Sequence, residues 1–308
     1  MSHELVLWIG FNLFILLMLA LDLGIFQRKP HKIKVKEALI WSTIWIILAL
    51  IFNVFIYFEM GEQKALEYFT GYLIERSLSV DNIFVFILLF SYFKVPGIYQ
   101  HKILFWGVLG ALILRASLIA VGSVLVAKFS WILYLFGAFL LFTGFKMAFQ
   151  AESEIDPERN FVIRWFKKFF PVTHEYHEGK FIVTIDKKKF ATPMLLVLVA
   201  VEFADLVFAF DSIPAIFAVT TDPFIIYTSN IFAILGLRTL YFALAGIMHK
   251  FHYLKIGLSL ILIFIGFKML IVDLYKIPIM FSLGVIAMIL ITSVVYSLFR
   301  PLPEKEEP

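Results

Sequence analysis

Long apolar runs, broken by short polar or Pro/Gly stretches, recur along the whole chain at residues 7–26, 39–58, 71–93, 103–127, 131–149, 192–219, 224–248, 254–272 and 277–299. A helix rises about 1.5 Å per residue, so about 20 apolar residues cross the hydrocarbon of a bilayer. The pattern therefore predicts an all-α polytopic membrane protein with about nine transmembrane helices. The first run carries Asp22, lacks a basic start and ends without a small-residue cleavage pattern, so it is expected to be a retained helix and not a signal peptide.

Composition agrees with the pattern. Of 308 residues, 61% are hydrophobic and 16% charged, a balance that no soluble globular domain shows. There is no cysteine, which removes thiolate metal sites, disulfides and thiol exchange and leaves oxygen and imidazole as the strong ligands. The net charge of +4 is no sign of a nucleic-acid partner, because the basic residues first set orientation in the bilayer. Alternate loops hold 20 Lys and Arg residues on one side and only Lys64, Lys128, Lys268 and Lys276 on the other. The rich side is expected in the cytoplasm, with the N-terminus outside, the C-terminus inside and the cell membrane as the location.

The basic side includes a long loop, residues 151–191. Its stretch Arg159–Phe170 is amphipathic and expected along the headgroup surface, and Lys180–Phe190 alternates and turns at Asp186-Lys187 as a short hairpin would. His174 and His177 are read as solvated loop residues, His249 and His252 as surface residues at a helix end.

Self-similarity pairs Gly144-Phe-Lys-Met147 with Gly266-Phe-Lys-Met269, Leu114-Arg115 with Leu237-Arg238, and Val80-Asp-Asn-Ile83 with Phe210-Asp-Ser-Ile213. The offsets run from 122 to 130, so each copy spans three helices, and an odd number makes the copies run in opposite directions. The chain then divides into two N-terminal helices with a basic loop (1–66), inverted repeat 1 (67–150), the loop (151–191), inverted repeat 2 (192–273), and a final helix with its tail (274–308).

Five acids fall inside the apolar runs: Glu75, Asp81, Glu202, Asp205 and Asp211. An unpaired carboxylate at mid-bilayer costs about 2.5 to 3.5 kcal/mol on insertion scales, so these need compensation. Arg115 and Arg238 are the candidate charge partners, and Arg76 either snorkels outward or joins them; three arginines against five carboxylates leave two negative charges. One divalent cation balances them, as does protonation of two acids.

Because the copies oppose one another, Glu75 is expected level with Asp211 and Asp81 level with Asp205, in two rungs about 9 Å apart. Glu75 and Asn82 share one helix face, as do Asp205 and Ser212, whereas Asp81 and Asp211 point about 100° away. Pro214 offers either a simple kink or a break that frees the Phe210 carbonyl as a further ligand. Carboxylates, the Asn82 amide, the Ser212 hydroxyl and carbonyls make an all-oxygen set that suits Mg²⁺, Ca²⁺ or Mn²⁺. Asp22 is a candidate gate. Gly107, Gly110, Gly122, Gly137, Gly144, Gly257 and Gly266 are expected to permit close helix approach.

Glu75-Arg-Ser-Leu-Ser-Val-Asp-Asn-Ile-Phe-Val-Phe86, Val201-Glu-Phe-Ala-Asp-Leu-Val-Phe-Ala-Phe-Asp-Ser-Ile-Pro-Ala215 and Leu237-Arg238 closely resemble the TerC family, including its Alx branch. The resemblance extends from Leu21-Asp-Leu-Gly24 to Val272-Asp-Leu-Tyr-Lys-Ile-Pro278. It implies an integral membrane protein related to the LysE transporter superfamily, linked to tellurium resistance and to export of Mn²⁺. It also implies an ion path through Glu75, Asp81, Asn82, Glu202, Asp205, Asp211 and Ser212. One departure is Phe203-Ala204, where a threonine is expected before the aspartate.

The expected function is export of a divalent cation, most of all Mn²⁺, by alternating access with protons as counter-ion and with no permanent cofactor. The alternatives are a scaffold that assists insertion or assembly of membrane-protein partners, and an indirect tellurite-resistance factor. An enzyme is not expected, because the runs hold no Ser/His/acid arrangement, phosphate loop or histidine cluster.

Overall fold

The computed structural model describes residues 3–26, 35–129, 131–149, 161–173, 175–185, 187–245 and 253–299. Helices α1 (His3–Phe26), α2 (Val35–Met60), α3 (Glu62–Tyr92), α4 (Gly97–Lys128) and α5 (Ile132–Phe149) follow the first five runs. After a short helix, α6 (Phe161–Phe169), and a hairpin of β1 (Ile182–Ile185) and β2 (Lys188–Ala191), the chain continues through α7 (Pro193–Phe217), α8 (Pro223–Leu235), α9 (Leu237–Leu244), α10 (Leu254–Leu270) and α11 (Ile279–Phe299). Among the described residues, seven stretches are long and apolar enough to cross a membrane, α8 and α9 counting together as one. Outside that class fall α3, which carries Glu62, Lys64, Glu67, Glu75, Arg76 and Asp81, and α10, with 17 residues.

The expected seventh run is not one continuous helix. It is interrupted at Gly236, between α8 and α9. Of the two readings of Pro214, the break is absent: α7 runs through it to Phe217, and Pro214 lies within the last turn. The helix continues although Pro214 offers no N–H to the Phe210 carbonyl.

Leu13, Leu17, Ile51, Phe142, Met288 and Ile291 stand exposed on the outer faces of their helices. In water so much exposed apolar surface would drive association; against lipid tails it is the ordinary outer surface. Buried Phe11, Trp45, Tyr68 and Phe232 form an inner aromatic layer joining α1, α2, α3 and α8. Helix α3 packs on α8, and α4 on α7.

The tightest packing joins α5 to α10. A methyl built on Gly266 would lie 2.7 Å from the Gly137 carbonyl oxygen and 2.8 Å from the Leu141 nitrogen, and one on Gly144 would lie 3.0 Å from the Ser259 carbonyl oxygen. Rising numbers on α5 meet falling numbers on α10, so the pair is antiparallel. With no hydrophobic drive between helices in lipid, such backbone contact supplies the attraction through dispersion and weak polar contacts. The other glycines singled out in the sequence also abut neighbours: Gly107 meets Val201, Gly110 Glu202, Gly122 Phe217 and Gly257 Ser293.

The described part of the loop is ordered against the helices. β1 and β2 pair antiparallel from Ile182 opposite Ala191 to Ile185 opposite Lys188, as expected, with Lys187 in the left-handed region at φ 63° and Asp186 outside the described residues. Tyr176 donates to the Phe93 carbonyl at 2.6 Å, and Lys102 to the Gly179 carbonyl at 3.0 Å, which seats the loop on the α3–α4 turn. Helix α6 buries Ile163 and Phe166 and exposes Trp165 and Phe169. His174, His249, His252 and the C-terminal tail lie outside the described residues.

Replacing Gly266 by Val is expected to cost about 1–3 kcal/mol through overpacking against backbone. Gly284→Ala, where nothing lies within 4 Å, is expected to be neutral or slightly stabilising. Thermal unfolding of the detergent-purified variants measures both; equal melting temperatures for the two would contradict the close-packed crossing.

Candidate functional site

Helices α3 and α7 cross so that Asn82 Nδ2 donates to Asp205 Oδ1 at 3.4 Å while Ser212 hydrogen-bonds Glu75. Each helix contributes two residues seven apart, which is two turns on one face. The lower number on α3 meets the higher on α7, so these helices are antiparallel here, and the levels fall one residue from those the spacing suggested.

Arg115, from α4, fills the crossing and is 0% exposed. Its Nε donates to Asp205 Oδ2 at 3.1 Å and its Nη2 to Asp205 Oδ1 at 2.8 Å, a two-pronged grip. Its Nη1 forms a close ion pair with Glu75 Oε1 and reaches Ser212 Oγ at 3.3 Å. One guanidinium thereby ties together α3, α4 and α7. A planar fork is suited to this, because it presents several donors in fixed directions and keeps its charge.

Among the described residues, two buried oxygens of this centre have no hydrogen-bond partner: Glu75 Oε2 and Asn82 Oδ1. Ser79 Oγ, on the same face of α3, is a third. Glu75 and Asn82 line a cavity of about 260 Å³, together with Arg115, Ser212, Asp211 and Thr143. Thr143 hydrogen-bonds Asp211, and the Lys146 charge acts on the same carboxylate. Lys146 and Lys255 also line this cavity, so its wall mixes carboxylates with cations.

The remaining candidates lie apart. Glu202 is half-buried on the α4-facing side of α7, where a methyl at Gly110 would fall on its carboxylate. Arg238 is buried and borders a second, much smaller cavity with Asp205, Phe86 and Val201. The Phe210 side chain is exposed on the outer surface. The side chains of Asp22 and Asp81 lie outside the described residues. Among the described residues, no three acidic or imidazole side chains gather as a ready metal cage. The physical reason is that Arg115 occupies the space between Glu75 and Asp205.

Two polar groupings escaped the sequence reasoning. Arg76, for which the sequence leaves both an inward and a snorkelling position open, donates from Nη1 to the Ala233 carbonyl at 3.1 Å and from Nη2 to Ser42 Oγ at 3.1 Å. It sits at the α8–α9 interruption, against Gly236, and serves a carbonyl at the end of α8. Glu67 is buried and accepts from Thr220 Oγ1 at 2.6 Å and from Lys64 Nζ at 2.9 Å. Lys64 also reaches Asp222 Oδ2 at 3.0 Å, and Asp222 caps α8 by accepting from Phe224 N at 3.0 Å. The three-residue spacing of Lys64 and Glu67 was the available signal once α3 is extended to Glu62.

Fold and centre together define an α-helical integral membrane protein built around buried charge. The model of the TerC integral membrane protein family matches residues 60–304, and the chain belongs to that family. An uncharacterised membrane protein of Myxococcus xanthus is 51% identical over 294 residues, covering 96% of this chain and 92% of the relative. Proteins of Escherichia coli K12 and Salmonella typhi, both named Alx and proposed in that name to be membrane-bound redox modulators, are 50% identical over 294 residues and 49% identical over 298. The alignments cover 92% and 94% of this chain, respectively, and 92% of each relative. No solved structure matches the chain significantly.

The Glu67–Thr220 contact is open to a double-mutant cycle. Glu67→Gln and Thr220→Val, alone and together, are expected to show a coupling of about 0.5–3 kcal/mol in thermal unfolding. Strict additivity would show that the α3 end and the α7–α8 turn are not joined there.

Proposed function

We propose that the chain is a secondary transporter that exports a divalent metal cation, with Mn²⁺ the cargo the family resemblance suggests, by alternating access in exchange for protons. The observation that carries this reading is the pair of buried oxygens without a hydrogen-bond partner among the described residues, Glu75 Oε2 and Asn82 Oδ1, on two residues that line the 260 Å³ cavity with Asp211, Ser212 and Thr143. Such oxygens are costly in a membrane interior, and a hard cation satisfies them. Deprotonated carboxylates bind a metal best, so metal loading releases protons and coupling follows naturally.

The basic-loop asymmetry argues for an outer N-terminus and a cytoplasmic C-terminus. On that orientation Lys146 and Lys255 lie toward the cytoplasmic end of the cavity, and the Lys64–Glu67–Thr220–Asp222 network lies toward the outer ends of its helices. An exporter loads from that cytoplasmic side. The name of the Alx relatives proposes redox modulation. This chain has no cysteine with which to exchange thiols, so an effect on redox balance would run through the metal. Tellurium resistance would be indirect for the same reason.

A scaffold for membrane-protein assembly makes the opposite demand. Its function should survive neutral substitution of the buried acids and fail on deletion of residues 150–191. In inverted vesicles, Asp81→Asn and Asp211→Asn are each expected to lower the initial rate of Mn²⁺ uptake at least about tenfold. Undiminished uptake in both variants would remove the transporter reading.

A further inference from the structure

We propose that Arg115 is a tethered counter-ion that competes with the cargo cation for Glu75 and Asp205. This rests on the cation-transport reading and adds to it the element that links loading to movement. Arg115 is 0% exposed and shares no helix with its partners: Glu75 comes from α3, Asp205 from α7 and the guanidinium from α4. It is thus the ionic tie across the interface where two antiparallel helices would have to move in alternating access.

The carboxylate oxygens divide between two claimants. Asp205 gives both of its oxygens to Arg115, whereas Glu75 gives Oε1 and leaves Oε2 without a partner on a residue that lines the cavity. A cation arriving through the cavity meets a wall that Glu75, Asn82, Ser212 and Arg115 share, and to bind Glu75 it must share that carboxylate with the guanidinium. Two positive groups on one carboxylate repel, and in a dry site the repulsion is barely screened. The arriving ion therefore binds fully only as Arg115 lets go, and that release unties α3 from α7. Lys146 stands in a similar relation to Asp211, since its charge acts on that carboxylate from the same wall.

A tethered competitor makes an unusual demand on mutagenesis: removing it should strengthen binding while impairing transport. A merely structural arginine predicts that both fall. The test uses the full chain in detergent, with Mn²⁺ as the probe and loss of the free-ion paramagnetic resonance signal as the readout, alongside vesicle uptake. Arg115→Gln keeps hydrogen-bonding capacity without charge and is expected to bind Mn²⁺ at least about tenfold more tightly than the wild type, with slower uptake. Arg115→Lys keeps a charge but not the two-pronged grip, and is expected to bind about threefold more tightly; it carries the test where Arg115→Gln does not fold. Folded variants that bind Mn²⁺ as the wild type does, or more weakly, overturn the proposal. Absence of Mn²⁺ binding in wild type and variants alike, all folded, overturns the cation reading itself and this inference with it.

Discussion

A guanidinium cannot stay unpaired where water is absent, and the burial of Arg115 is the constraint on which the centre of this molecule depends. Arginine does not shed its proton to escape the cost, so carboxylates must come to it. The first is Glu75 and the second Asp205, each from a different helix. The paired grip on Asp205 fixes the rotation of α7 about its own axis, and the contact with Glu75 fixes α3. Once built, such an arrangement is hard to undo piecemeal, because removing one partner strands the others' charge.

The rest of the bundle is held differently. At the α5–α10 crossing, Gly137 and Gly266 bring backbone against backbone and leave nothing polar to rearrange beyond main-chain dipoles. The inner aromatic layer of Phe11, Trp45, Tyr68 and Phe232 is likewise a packed surface. Packing of this kind is stiff. The polar crossing of α3, α4 and α7 is held instead by ion pairs and hydrogen bonds to Arg115, so on the proposed function the molecule joins a fixed frame to an exchangeable centre.

The frame was legible in the sequence because lipid imposes a local rule: a spanning segment must be largely apolar, and most of the runs from Leu7 onward obey it, seven of them among the described residues. Close approach was legible at Gly107, Gly137 and Gly266 because a glycine in an apolar run has little other use. The seven-residue spacings of Glu75 to Asn82 and Asp205 to Ser212 placed those four side chains on facing surfaces. What stayed hidden was partnership across distance. Arg76 reads like Arg115 in the sequence, yet one serves the Ala233 carbonyl and the other two carboxylates. Glu67 lay just before the apolar run and so read as a loop acid, although it is buried against Thr220. Gly236 interrupts a helix where Pro214 does not: α7 continues through the proline to Phe217, while the glycine lies against Arg76 between α8 and α9.

The mixed lining of the cavity bears on what a carrier must accomplish. A site of bare carboxylates in a membrane interior would hold a divalent cation so firmly that release would limit every cycle, since binding must be strong enough for entry and weak enough for exit. On the proposed transport cycle, Arg115 on Glu75 and Lys146 beside Asp211 would lower that grip without removing the acids, because each supplies a positive charge to reclaim the carboxylate as the ion leaves. Charge inside the bilayer is then neutralised by one partner or the other during most of the exchange. On this account the basic residues among the acids are what make the carboxylates usable as a transient binding site, and their presence argues for passage over storage.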